Sequence, residues 1–183
     1  MPYAAASVMS DATSIIETER LVLRPFEDAD LDAYFAIHDH PAVRASLRIP
    51  GSFDRAQAWA QLAMWRGQMD LRGTGHLAVV RRDTGEMIGR AGSHHPERSD
   101  WPGIEIGWTL HPDHWGHGFA TEAGRATVAR VFDRHPVDVV YSVIHPDNAP
   151  SQAVARRLGF TLREVKELSI LPGEPHGIWV LRR

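Results

Sequence analysis

Apolar positions along this chain change their period several times, and each change marks an element. The central case is Glu105-Ile106-Gly107-Trp108-Thr109-Leu110, a half-apolar run suited to a pleated surface that stops at His111-Pro112. A glycine-punctuated turn follows, Trp115-Gly116-His117-Gly118, and behind it Ala120, Ala123, Thr127, Val128 and Val131 recur at helical spacing. The pattern predicts strand, glycine-rich turn, helix.

Upstream, residues 17–25 alternate well enough for a first strand closed by Pro25. Helical periodicity begins near Asp28 with Leu31, Tyr34, Phe35 and Ile37 on one side, and a short second helix is expected after Pro41. Residues 53–69 read as a third helix with Ala56, Trp59, Ala60 and Ala63 on a common face, ended by Arg72-Gly73-Thr74-Gly75. Residues 76–80 and 87–92 flank a turn at Asp83-Thr84-Gly85 and form a hairpin. Residues 137–144 make a buried strand ending in His145-Pro146-Asp147, as the central strand ends in His111-Pro112-Asp113. Proline pushes the preceding residue toward extended geometry and donates no ladder hydrogen bond, so both strands should stop at one level. Asn148 as N-cap, Pro150 in the first turn and Gly159 as the left-handed terminal residue bracket a short helix, and residues 161–170 and 177–181 supply two closing strands. This order suits a mixed α/β sheet in one domain over residues 17–183, behind an N-terminal tail of residues 1–16.

Composition narrows the class. The 183 residues, 43% apolar and 23% charged, match a soluble globular domain. A net charge of −3 and a pI near 6.4 give no general electrostatic footprint for nucleic acid or an anionic membrane. With no cysteine there is neither a disulfide framework nor a thiolate metal site nor a thiol nucleophile. No run is long and apolar enough to span a bilayer, and the Ala/Ser-rich start lacks a basic segment and an apolar one. A cytoplasmic protein is the expectation.

Chemistry enters at the glycine-rich turn. The first turn of a helix carries N–H groups without intrahelical partners and a dipole that favours anions, and Gly116 and Gly118 let the backbone approach a phosphate closely. Residues 115–120, Trp-Gly-His-Gly-Phe-Ala, resemble the acyl-CoA pyrophosphate loop of the GNAT superfamily of N-acetyltransferases, Gln/Arg-x-x-Gly-x-Gly/Ala, with Trp115 in place of the usual Gln or Arg. Asn148-Ala149-Pro150-Ser151 followed by a helix and Leu158-Gly159-Phe160 resembles the superfamily's second signature, Asn-x-x-Ser before Leu-Gly-Phe. Thr18-Glu19-Arg20-Leu21-Val22-Leu23-Arg24 is similar to the opening of its ribosomal-protein N-terminal acetyltransferase (RimJ/RimL-like) branch.

The resemblance, over roughly residues 17–183, implies a mostly antiparallel central sheet flanked by helices, with splayed central strands that bind acyl-CoA. It implies acetyl-CoA as cosubstrate, an amine as acceptor, no resident metal, and a homodimer as a common state of the fold. Leu110, Trp115, Gly116, His117, Gly118, Ala120, Thr121, Asn148 and Ser151 would hold the cofactor. Many relatives place a tyrosine acid where Ala155 stands here; in the RimJ/RimL-like branch the Asn-x-x-Ser serine takes that role, which carries over to Ser151. Glu105, at the start of the central strand, is the candidate base, with His94, His95, His111 and His145 as titratable rivals. An α-amino acceptor, pKa about 8, is deprotonated near neutrality more easily than a lysine, about 10.4.

Other classes fit less well. His111, His114 and His117 have metal-ligand spacing, yet Pro112 and Gly116 interrupt any helix that would align them. Gly116-x-Gly118-x-x-Thr121 lacks the third glycine of a dinucleotide fold, and no Gly-Lys-Ser/Thr is present. The strongest alternative is a non-catalytic acyl-CoA-binding module on the same fold.

Overall fold

The computed structural model describes residues 15–48, 51–169 and 173–183. β1 (Ile16–Glu17) and β2 (Leu21–Arg24) precede three helices, α1 (Leu31–Asp39), α2 (Pro41–Leu47) and α3 (Arg55–Arg72). The hairpin β3 (His76–Arg81) and β4 (Met87–His94) follows. β5 (Glu105–Leu110) leads into α4 (Phe119–Arg134) and β6 (Val139–Ile144) into α5 (Ala149–Arg157), and β7 (Thr161–Glu167) and β8 (Pro175–Arg182) close the chain. Among the described residues these strands form one sheet in the order β1-β2-β3-β4-β5-β6-β8-β7.

Every neighbouring pair is antiparallel except β5 and β6, which are parallel. That pair is joined at its beginning only. Glu105 registers with Tyr141, and the Tyr141 N–H reaches the Ile104 carbonyl at 2.9 Å; beyond this point no further residues pair. The two proline-stopped strands therefore open into a wedge, as the resemblance implied.

α4 and α5 cover one face of the sheet. Leu21, Leu23, Leu77, Val79 and Ile88 pack with Phe119 and Ala123 of α4, while Ile106, Val140 and Trp179 pack with Val131 of α4 and Ala155 of α5. The other face meets α1 and α3 through Tyr34, Ala58, Leu62 and Trp65. Burying a large apolar side chain contributes roughly 1.5–3 kcal/mol, so the period-2 and period-3.6 patterns fix the layers.

Four expectations change. Residues 17–25 do not form one strand: the Thr18 hydroxyl accepts the Leu21 N–H at 3.0 Å and donates to the Leu21 carbonyl at 3.2 Å, turning the chain between β1 and β2. Ile16, placed in the tail, opens β1, and residues 1–14 lie outside the described residues. In α3, Ala56, Trp59, Ala60 and Ala63 face solvent, with Trp59 56% exposed, and the buried stripe is Ala58, Leu62 and Trp65. An Asp54–Gln57 capping box starts this helix, and the larger Leu62 and Trp65 outweigh the alanines in choosing its inner face. β7 ends at Glu167, short of residue 170, which lies outside the described residues.

Candidate active site

A cavity of about 1300 Å³ opens between α4, α5 and the C-terminal end of α2, at the wide end of the wedge. Leu110, Trp115, Gly116, His117, Gly118, Ala120, Thr121, Asn148 and Ser151 all line it. The nine positions named from motifs thus come together.

The loop's shape follows from its glycines. Gly116 and Gly118 take φ of +79° and +82°, left-handed values that cost an L side chain about 1–2 kcal/mol, and a Cβ on Gly116 would project into open space. Gly118 is the N-cap of α4, so the unpartnered N–H groups of its first turn face the cavity. Trp115 ties the loop to the strand by donating its indole N–H to the Leu110 carbonyl at 2.8 Å. The β1–β2 turn clamps the other side: Arg20 donates to Glu122 at 2.7 Å and to the His117 carbonyl at 3.0 Å, and its guanidinium lies 4.6 Å from the centre of the Phe119 ring. The Thr-Glu-Arg run, read as strand, is a brace for the anion cradle.

Across the cavity, Asn148 caps α5 by accepting the Ser151 N–H at 3.1 Å and donates its amide N–H to the Ser46 carbonyl of α2 at 3.0 Å. The Ser151 side chain is half-buried and lines the cavity. Arg125 and Arg157, absent from the sequence-based set, add positive charge to the walls. A less expected group also lines the cavity. Thr109 is 7% exposed, lines the cavity, and its hydroxyl has no hydrogen-bond partner within the protein. A buried polar atom left open beside a cavity points to a ligand atom. No helical or strand period marks Thr109, since its role depends on the wedge rather than on spacing.

Glu105 stands apart from the cavity lining, at the narrow end of the wedge and beside Tyr141. Burial raises its carboxyl to about 7, opposed by the nearby Arg90 charge and by the Val143 backbone N–H, which hydrogen-bonds it. The rival histidines are placed differently. His94 pairs with Gln68 through Nδ1 at 3.1 Å, and burial together with Arg90 lowers it to about 4. His145 has both ring nitrogens engaged, Nδ1 accepting the Asp147 N–H at 3.1 Å and Nε2 facing Glu174 at 3.2 Å. His111 accepts the Asp113 N–H, and His95 sits exposed in the β4–β5 loop. His111, His114 and His117 do not converge: among the described residues no group of three potential ligands is placed to hold a metal ion.

A sheet parted between two parallel strands, with a glycine-shaped helix N-terminus beside the opening, defines the class: an acyltransferase built to take its donor from acyl-CoA. Comparison with known proteins is in accord. Residues 20–161 match the acetyltransferase (GNAT) domain, and the chain belongs to that family. The uncharacterized N-acetyltransferase YoaA of Bacillus subtilis (strain 168) is 29% identical over 146 residues, covering 80% of this chain and 82% of that protein. An acetyltransferase from Agrobacterium tumefaciens str. C58 superposes with a TM-score of 0.80 at 30% identity, covering 92% of this chain and 94% of the other. RimL, a ribosomal L7/L12 α-N-protein acetyltransferase solved with coenzyme A, shares the fold at TM-score 0.74 and 18% identity, covering 92% and 97%. No described helix is long and apolar enough to cross a membrane.

Proposed function

We propose that the protein moves the acetyl group of acetyl-CoA directly to a primary amine, a protein N-terminus or a small-molecule amine. Gly116, Gly118 and Ala120 would receive the pyrophosphate on their N–H groups, with His117 and Thr121 beside it, and the wedge between β5 and β6 would take the pantetheine arm. Glu105 draws the proton from the acceptor ammonium, freeing the amine to attack the thioester carbonyl. As the carbon–sulfur bond breaks, Ser151 gives its hydroxyl proton to the departing thiolate and takes in turn the proton shed by the new amide nitrogen. The carrying observation is the carboxyl at the apex of the parted strands, held by burial at about 7, where it is half-ionised near neutral pH. The cavity that gathers the nine motif residues and the coenzyme A in the RimL structure support the donor.

The test is thiol release from acetyl-CoA with a panel of N-terminal peptides, polyamines and aminoglycosides, run on wild type and Glu105→Gln. Amine-dependent release that falls at least tenfold in Glu105→Gln, with coenzyme A binding retained, is expected. Coenzyme A binding with no amine turned over, or full activity in Glu105→Gln, would sink the reading.

A further inference from the structure

The acceptor-side face of the sheet holds a second charged group that the proposed chemistry leaves unused. Arg90 lies on β4 facing α1 and α3, on the same face as Glu105: in the β4–β5 register Arg90 opposes Thr109, Gly92 opposes Gly107 and His94 opposes Glu105. The glycine pair puts no side chain between the two charges. The His76 ring crosses there, its Cε1 2.9 Å from where a Gly107 Cβ would stand.

Arg90 is fixed without a carboxylate. Its Nε donates to His38 Nε2 at 3.0 Å, and its Nη1 donates to the His76 ring, 2.8 Å from Nδ1 and 3.0 Å from Nε2. To accept that bond His38 carries its proton on Nδ1, which donates to the Tyr34 carbonyl at 2.9 Å. His38 is 1% and His76 4% exposed; burial first, then Arg90, lowers His38 to about 3 and His76 well below its usual range, so both stay neutral. Trp65 closes the layer, its ring 5.2 Å from the guanidinium and 4.4 Å from His76, with its N–H donated to the Tyr34 hydroxyl at 3.1 Å. Among the described residues Arg90 forms no ion pair within 4 Å. A part-buried guanidinium held by two neutral rings keeps its full charge, and across a ring-filled layer that charge is poorly screened.

Resting on Glu105 as the base, we infer that Arg90 is a positioning residue: a guanidinium locked by His38 and His76 that keeps the half-buried Glu105 carboxylate ionisable at the acceptor site. Around Glu105 stand the Arg90 charge and the Val143 N–H, which act on its carboxyl, the His76 ring beside Gly107, and His94 and Tyr141, which oppose it in the sheet. Arg90 is the one among them that is both charged and locked in the layer.

The experiment follows the Glu105 carboxyl itself by ¹³C NMR of glutamate-labelled protein, assigned by the resonance lost in Glu105→Gln, alongside the pH profile of kcat/KM. In Arg90→Met the Glu105 midpoint should rise by about one pH unit or more, the acid limb of kcat/KM should move with it, and Arg90→Lys should restore most of the shift. Coenzyme A affinity should not change. Arg90→Gln, which still donates to the histidines, is the second variant should Arg90→Met not fold, with the same rise expected. An unmoved Glu105 midpoint in a folded, uncharged Arg90 variant overturns the inference. Full activity in Glu105→Gln would instead overturn the choice of base, and the NMR titration would still report on Arg90.

Discussion

Replacing Glu105 by glutamine should make the folded protein more stable, and by an amount that depends on pH. The carboxyl rises from 4.5 to about 7 because burial penalises its charged form. The folded state therefore binds this proton more tightly than the unfolded chain does. Below pH 4.5 both states are protonated and the group is neutral to stability. Between 4.5 and 7 the unfolded chain ionises while the folded one does not, and above 7 the full penalty is present. At about 1.4 kcal/mol per unit, the shift amounts to about 3 kcal/mol above pH 7, a ceiling because Glu105 keeps part of its surface in water. Glutamine keeps the shape and removes the charge. Urea unfolding of both proteins at pH 5 and pH 8 measures the effect: Glu105→Gln should gain clearly more at pH 8 than at pH 5. Equal differences at the two values would show that the carboxylate is not penalised by burial, and the argument for it as base would lose its physical ground.

Two further outcomes are expected. Ser151→Ala should lower kcat tenfold or more while leaving coenzyme A affinity nearly unchanged, because the cap on α5 uses the Ser151 backbone N–H and the Asn148 oxygen rather than the hydroxyl; unchanged kcat removes Ser151 from the chemistry. Gly118→Ala should weaken coenzyme A binding, read by calorimetry, since a side chain at φ +82° strains the N-cap by about 1–2 kcal/mol. Unaltered affinity would mean that the loop does not need its left-handed turn to hold the anion.

Much of the fold was legible because local signals and burial agree. β5 runs over the residues its alternation predicts, and α5 begins and ends at its asparagine cap and terminal glycine. The cofactor cradle was equally legible, because a phosphate loop is a local object whose parts lie within a few residues. The face of α3 was not, since alanines carry little burial energy and the choice fell to Leu62 and Trp65. The Thr18 turn was missed because a threonine that closes a turn with its own hydroxyl also suits a strand. Arg90, His38 and His76 come from β4, α1 and β3, and only the folded sheet brings them to Glu105. Thr109 became notable only once its hydroxyl was found without a partner.

Asn148 spans the cavity with a single amide, giving its oxygen to α5 and its nitrogen to α2. The distance between those two walls is therefore set by the covalent length of one side chain, like a rivet through two plates. Aspartate has the same length but two acceptors, so Asn148→Asp would keep the helix cap and release α2. Any remodelling of the α2 wall then has to respect a dimension fixed from α5, and the two walls of the cavity cannot drift independently at that point.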